Sequence, residues 1–378
     1  MQLSLPTGLT KVLAIDELFT AKPRFQNQRR VGGATYGGGQ IAHSSRAGRR
    51  QQRSTLESLL RDMTTLKTMQ GQLGSVEEFS AALKHTGWGI DFRQLKRGPG
   101  QVAVNAIGTA RTLLLKVGLH NLVHQQALPP SGSITFALVN EPTAPFQFGG
   151  SVLESGTLTC FDPSRGLDGV SDKGFSAYAL SFDADRVSEL AETMRLPDPI
   201  NSPDMWNIPR HADVNEISRL RSVTEKIFDE THRSDGVANA NLFKMIESEL
   251  ALEILNLWAK GSTVPEASYN NRARALRRAM RYIEANSKTL FSVEDLCRES
   301  ACSISTLERA FRDYFGVSPK QYLTAQRLSG VRASLLSPEG SSKVSDVAIE
   351  WGFWHLSKFA ADYKGMFGEL PSATRMAA

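Results

Sequence analysis

The chain is predicted to be an α+β protein of several parts: a barrel or jelly roll of short strands, a helical hairpin after it, and an all-α C-terminal region with two helix-turn-helix units. Three observations carry this. Between Phe79 and Phe182, short alternating or apolar runs are separated by turn residues. From Val214 to Lys260 the apolar period lengthens to that of helices. Beyond Asn271, a short helix, a turn and a second helix recur as one pattern used twice.

Residues 1–75 come first and are the least structured in expectation. The stretches Gly32 to Gly39 and Ser44 to Arg53 are rich in glycine and arginine and poor in bulky apolar side chains, so they have little with which to offset the entropy of ordering. Gly37-Gly38-Gly39 is not followed by the Gly-Lys-Ser or Gly-Lys-Thr of a phosphate loop, nor set between a strand and a helix.

Residues 76–200 form the expected β domain. Val102 to Ile107, Thr112 to Val117, Ser133 to Val139, Gly156 to Phe161 and Ser176 to Phe182 read as strands, broken at Gly98-Pro99-Gly100, Pro129-Pro130 and Asp162-Pro163. Many short strands at this spacing suit a small barrel. Phe136, Leu138 and Tyr178 are candidate ligand-lining residues, with ordinary core packing as the alternative. His120 and His124 would share a face on a continuous strand, yet they lack the His-x-His pair and downstream Glu and His of a metal site. No metal or other cofactor is called for. Cys160, Cys297 and Cys302 show no paired metal-ligand spacing and read as free thiols of a reducing compartment.

Residues 201–262 read as two amphipathic helices. In the second, Leu242, Ile246, Leu250, Ile254 and Leu257 share one packing face, which can serve the chain's own β domain. Residues 263–274 read as a linker and 275–378 as the tandem helix-turn-helix domain.

In that domain Ser292 to Ser300 is a capped helix, with Ser292 as N-cap and Asp295 completing a capping box. Ala301 and Cys302 make the turn. The following helix buries Leu307, Phe311 and Tyr314 and presents Ser305, Glu308, Arg309 and Arg312. Ser318-Pro319 opens a third helix reaching about Leu336, roughly 27 Å long, with Lys320 near its start. The second unit uses Val347 and Ala348, turns at Gly352-Phe353, and buries Phe359, Tyr363 and Phe367. Its outer surface carries His355, Ser357, Lys358, Ala361 and Lys364. Two second helices on a stiff connector suit successive major grooves about 34 Å apart, so the expected partner is double-stranded DNA.

Charge agrees with this division: residues 1–75, 76–270 and 271–378 carry net charges of +7, −7 and +5. A basic C-terminal part attached to an acidic middle suits one part that meets phosphates and another that does not. No apolar run approaches a membrane span, and no secretory signal is evident, so the expected location is the cytoplasm.

These residues resemble the DNA-binding domain of the AraC/XylS family of bacterial transcription regulators. The resemblance rests on Gly316-Val317-Ser318-Pro319, Tyr322 and Arg327-Leu328, then Val347-Ala348, Gly352-Phe353, Ser357, Phe359, Tyr363-Lys364, Phe367-Gly368 and Pro371. Departures are Ala361, where members often carry arginine, and Val331, where alanine is common. Gly330 is also unusual inside a helix, where it costs about 1 kcal/mol relative to alanine. The resemblance implies a cupin-like effector domain in the strand region and a dimerisation hairpin after it. It also implies RNA polymerase and a small-molecule effector as further partners. The expected function is that of a ligand-responsive activator, without catalysis. Alternatives are a regulator controlled by a protein partner or by its own abundance, and a cupin metalloenzyme or alkyl-transfer repair protein carrying this DNA-binding unit. The enzyme readings need metal ligands or a reactive cysteine module, and neither pattern is visible.

Overall fold

The computed structural model describes residues 67–377 apart from 85–86, 110, 141–143, 150, 234–239, 265–270, 287–288 and 338–342. The glycine- and arginine-rich run near the N-terminus lies outside the described residues.

The strands are β1 (Lys67–Leu73), β2 (Gly89–Gln94), β3 (Val102–Gly108), β4 (Leu113–Leu119), β5 (Val123–Leu128), β6 (Ser133–Val139), β7 (Phe146–Phe148), β8 (Ser151–Leu153), β9 (Thr157–Cys160), β10 (Leu167–Ser171), β11 (Phe175–Asp183), β12 (Arg210–His211) and β13 (Ser262–Thr263). They form two antiparallel sheets, one ordered β1-β3-β4-β11-β6-β9-β12-β13 and the other β2-β5-β10-β7-β8. Side chains from both sheets, among them Val104, Val117, Val139 and Phe175 from the larger and Ile90, Phe92, Val123 and Phe146 from the smaller, share one apolar core.

The sequence pattern places Lys67–Leu73 at the end of the extension. It is an edge strand paired along its whole length with β3. Its side chains alternate weakly, so only the partner strand reveals it. Helix α1 (Val76–Lys84) follows and buries Val76, Phe79 and Leu83 in the sandwich core.

Three helices lie against the larger sheet: α2 (Ala184–Met194), α3 (Val214–Arg233) and α4 (Ala240–Lys260). The sheet is thus covered on both faces, which explains near-continuous apolar strands such as Ser133–Val139. The α4 face read from sequence as a packing face is spent inside the chain. Ile246, Leu250, Ile254 and Leu257 are all buried, and the neighbouring Trp258 meets the Phe136 ring at 6.0 Å.

The remaining helices are α5 (Asn271–Ala285), α6 (Val293–Ser300), α7 (Ile304–Phe315), α8 (Pro319–Leu336), α9 (Val344–Glu350), α10 (Leu356–Phe367) and α11 (Pro371–Ala377). They gather around a second core containing Leu276, Leu307, Phe311, Tyr322, Leu328, Val347, Phe359 and Tyr363. The start of α5 falls in the stretch read as a linker. Its polar outer face hid the period, since Arg272, Arg274, Arg277, Arg278 and Arg281 are all exposed while Leu276, Ala279, Met280 and Ile283 are buried. Among the described residues, no helix is long and apolar enough to cross a membrane.

Candidate nucleic-acid interface

Each helix pair is set by local chemistry. Ser292 Oγ accepts from the Asp295 backbone N–H at 3.2 Å, and the Asp295 carboxylate accepts from the Ser292 N–H at 2.9 Å, closing the capping box of α6. Ala301 ends α6 at φ 50°, a left-handed conformation that alanine adopts at some cost. Ser303 then caps α7 through the Thr306 N–H. In the second unit Gly352, at φ 81°, makes the corresponding turn, and its permissive backbone is needed there. No side chain caps the N-terminus of α10.

The apolar stripe of α7 is buried at Leu307, Ala310, Phe311 and Phe315, while Ser305, Arg309 and Arg312 are exposed and Glu308 is half-buried. Tyr314, read as a core position, is only partly buried, and Phe315 takes the innermost place. Arg312 lies 3.6 Å from Glu308, an exposed pair that salt screens easily. Lys320 is exposed on the first turn of α8. On α10, Ser357, Lys358, Ala361 and Lys364 are exposed, and His355 is exposed just before it. Lys358 is held by Asp362 at 2.8 Å. The ten sequence-selected residues therefore fall on outward faces of the two second helices, the start of α8 and the residue before α10, with Glu308 alone partly covered.

Two surface features were missed. Trp354, just before α10, is 69% exposed, and the arginines of α5 add a basic face beside the first unit. Trp354 was hidden by the habit of assigning aromatic residues to cores; its place just before the helix start was the available signal.

Gly330 has a structural reason. A Cβ there would lie 2.3 Å from the Trp351 ring, so the bare backbone of α8 is what admits that indole. Gly330→Ala should therefore destabilise the chain by about 1–3 kcal/mol through overpacking, although alanine is the better helix former. Urea denaturation measures this, and a stabilised variant would show that Trp351 swings away freely.

The smaller sheet presents its outer face to these helices. Leu95, Leu122 and Val170 belong to the same core as Phe311 and Tyr322. Arg93 on β2 donates to the Tyr322 hydroxyl at 3.2 Å, and that hydroxyl lies 2.9 Å from His124 Nδ1. His124 Nε2 meets the Asp168 carboxylate at 2.9 Å. His120 and His124 are not on one strand: His120 is exposed in the turn before β5, whereas His124 is wholly buried. Nearby, Gln94 donates to the Met366 carbonyl at 2.7 Å, and Arg97 reaches Asp362 at 3.2 Å, so a loop of the sandwich rests on α10. Finally, Glu77 of α1 and Arg332 of α8 form a buried ion pair at 3.4 Å. Arg332 also lies 2.9 Å from Glu369 and sits over the Phe367 ring at 4.7 Å.

The opposite face of the same sheet bounds an apolar cavity of about 60 Å³ inside the sandwich. Of the three residues chosen from sequence, Phe136 and Leu138 do not line it. Strand alternation turns them outward, Phe136 against Trp258 of α4, while their neighbours Ala137 and Val139 line the cavity. Tyr178 borders the cavity, yet its hydroxyl donates to Glu225 of α3 on the outer side of the larger sheet. Among the described residues no group of His, Cys, Asp and Glu is placed to hold a metal ion. Burial pushes the Cys160 thiol well above its ordinary range.

Two helix pairs joined by tight left-handed turns, each exposing a polar second helix, define a helix-turn-helix DNA-binding protein. Residues 296–377 match the family described as a helix-turn-helix domain. A XylDLEGF operon transcriptional activator of Pseudomonas putida is 33% identical over 140 residues, covering 37% of this chain and 39% of the relative. A second Pseudomonas putida activator of the same operon is 37% identical over 98 residues, 26% of this chain and 62% of the relative. The crystal structure of a probable AraC family transcriptional regulator from Rhodopseudomonas palustris is 33% identical, covering 27% of this chain and 94% of that one, with a TM-score of 0.26. In its C-terminal region this chain belongs to the AraC/XylS family. It spans about 39% of the length of the first curated relative.

Proposed function

We propose that this protein is a ligand-responsive transcriptional activator that reads two successive major grooves with α7 and α10. The observation that carries the reading is the exposed polar face on the second helix of each pair. Relatives described as operon activators support the activating sign, and with it RNA polymerase as partner and the cytoplasm as location. We further assign residues 67–264 to a cupin-like sensor and 271–378 to the reader; a homodimer would form through surfaces other than the α4 apolar face.

The control route rests on how wall and docking residues alternate. On β2, Phe92 faces the cavity and Arg93 faces Tyr322; on β5, Gln125 faces the cavity and His124 faces Tyr322; on α1, Phe79 lines the cavity and Glu77 meets Arg332. Any occupant that shifts these walls changes the footing of α8.

Arg309→Ala tests the reading role. On the specific site its loss should cost about 1–3 kcal/mol, with a far smaller effect on random DNA, because an exposed arginine on α7 suits bidentate contact to guanine. Equal weakening on both, in gel-shift titrations at fixed salt, would make Arg309 a phosphate contact instead.

A further inference from the structure

The cavity between the sheets carries chemical information about its occupant. Its walls are apolar, mixing aliphatic side chains with the rings of Phe79, Trp88, Phe92, Phe146, Phe161 and Phe175. No Asp, Glu, Lys, Arg or His is among the described lining residues. Gln125 and Thr159 bring polar groups to this wall, as do the Trp88 indole and the Tyr178 hydroxyl, the latter donating to Glu225 outside the cavity. Gln125 is 2% exposed and Thr159 3% exposed, and both line the cavity. The Gln125 Nε2 and the Thr159 Oγ have no hydrogen-bond partner among the described residues. Buried amides and hydroxyls in native proteins are normally paired, so these two, which the empty void does not reach, are open to an atom supplied from outside once the walls move. Gln125 Nε2 can only donate; its missing partner is an acceptor. A carboxylate or ammonium would enter without any counter-charge in the wall, which strongly disfavours charged occupants.

Resting on the sensor reading above, we propose that the cavity binds a compact, uncharged, mainly hydrocarbon molecule bearing one carbonyl-type acceptor, oriented by Gln125 with Thr159 as second polar contact. The void of about 60 Å³ is smaller than the roughly 150 Å³ that accepts a benzene ring in an apolar interior. A ring-sized occupant therefore enters by moving the walls. Those walls include α1, β2 and β5, whose adjoining residues dock α8.

The test uses the full chain, monitored by thermal midpoint and calorimetric titration. The probes are neutral ketones from 2-butanone to acetophenone, α-methylstyrene as a shape match lacking the oxygen, and benzoate as a charged match. Ketone binding should raise the midpoint as RT ln(1 + [L]/Kd). Acetophenone should bind about two- to tenfold more tightly than α-methylstyrene, as expected for one buried hydrogen bond, and benzoate should give no shift. Gln125→Leu should bring the ketone down to the hydrocarbon's affinity, and Thr159→Val provides a second variant should the first fold poorly. Failure of every ketone, tighter binding of benzoate, or a ketone preference that survives both substitutions would overturn the assignment. DNA recognition through Arg309 is read in the same preparations. Stabilisation by a charged metabolite or a sugar would sink this ligand class and leave the sensor reading standing; no stabilisation by any small molecule would sink both.

Discussion

Replacing Arg332 with alanine is expected to destabilise the full chain by about 3–5 kcal/mol, the cost of leaving a buried carboxylate without its partner. The Arg332 and Glu77 side chains are only 5% and 6% exposed. Burial pushes the Glu77 carboxyl above the usual carboxylate range, and the Arg332 guanidinium beside it opposes that rise. Removing the guanidinium lets burial act unopposed by its largest counterweight. The folded variant then binds a proton at Glu77 more readily than the unfolded chain does. Its stability is retained below the ordinary carboxylate pKa and lost as pH rises through the raised one. Urea denaturation should therefore show a larger deficit at pH 8 than at pH 5.5. A double variant, Glu77→Gln with Arg332→Met, should recover much of the loss, because a neutral pair carries no ionic desolvation. A pH-independent deficit would mean that Arg332 acts through its contacts with Glu369 and Phe367.

The second large effect is expected at Phe315. Its ring is 1% exposed and lies 5.0 Å from His124, 4.6 Å from Tyr322, 4.9 Å from Tyr314 and 5.3 Å from Phe311. Phe315→Ala should cost about 3–5 kcal/mol, combining lost transfer energy with the cavity left behind. Because the ring touches both the sandwich and α8, the loss should also loosen docking, seen as faster amide exchange at β5 and α8. Phe315→Leu, which fills most of the space, should retain most of the stability. Protection unchanged at β5 in the alanine variant would show that His124 is held by its hydrogen bonds alone.

Much of the reader was legible because its signals are local. Ser292, Ser303 and Ser318 act as caps for the helices that follow them, and Gly316, Gly352 and Gly368 occupy left-handed turns. Such features depend on a few adjacent residues, so neither the rest of the chain nor its topology alters them. Leu307, Phe311, Phe359 and Tyr363 were found for the same reason: a stripe at helical spacing has only one inward side.

The sandwich was legible only as a class. In Ser133–Val139 and Phe175–Asp183 nearly every residue is apolar or buried, since helices cover the far face of the larger sheet. Alternation then no longer distinguishes cavity from cover, so the pattern leaves Phe136 and Leu138 between cavity wall and ordinary core, and the fold keeps both out of the cavity lining. Strands such as Lys67–Leu73 carry little pattern of their own and exist through their partners. Arg332 reads in sequence as one more charge on a helix. Its burial becomes apparent only when α1 arrives from more than two hundred residues away.

By itself, then, the sequence determined the two helix-turn-helix units and the outward faces of their second helices, because caps, turns and helical stripes are written within a few residues of one another. Tertiary structure alone decided which side of each strand meets the cavity, and that one sheet serves both cavity and reader. Those properties come from pairings between distant segments, such as His124 with Tyr322 and Glu77 with Arg332, whose energies depend on burial that no local pattern records.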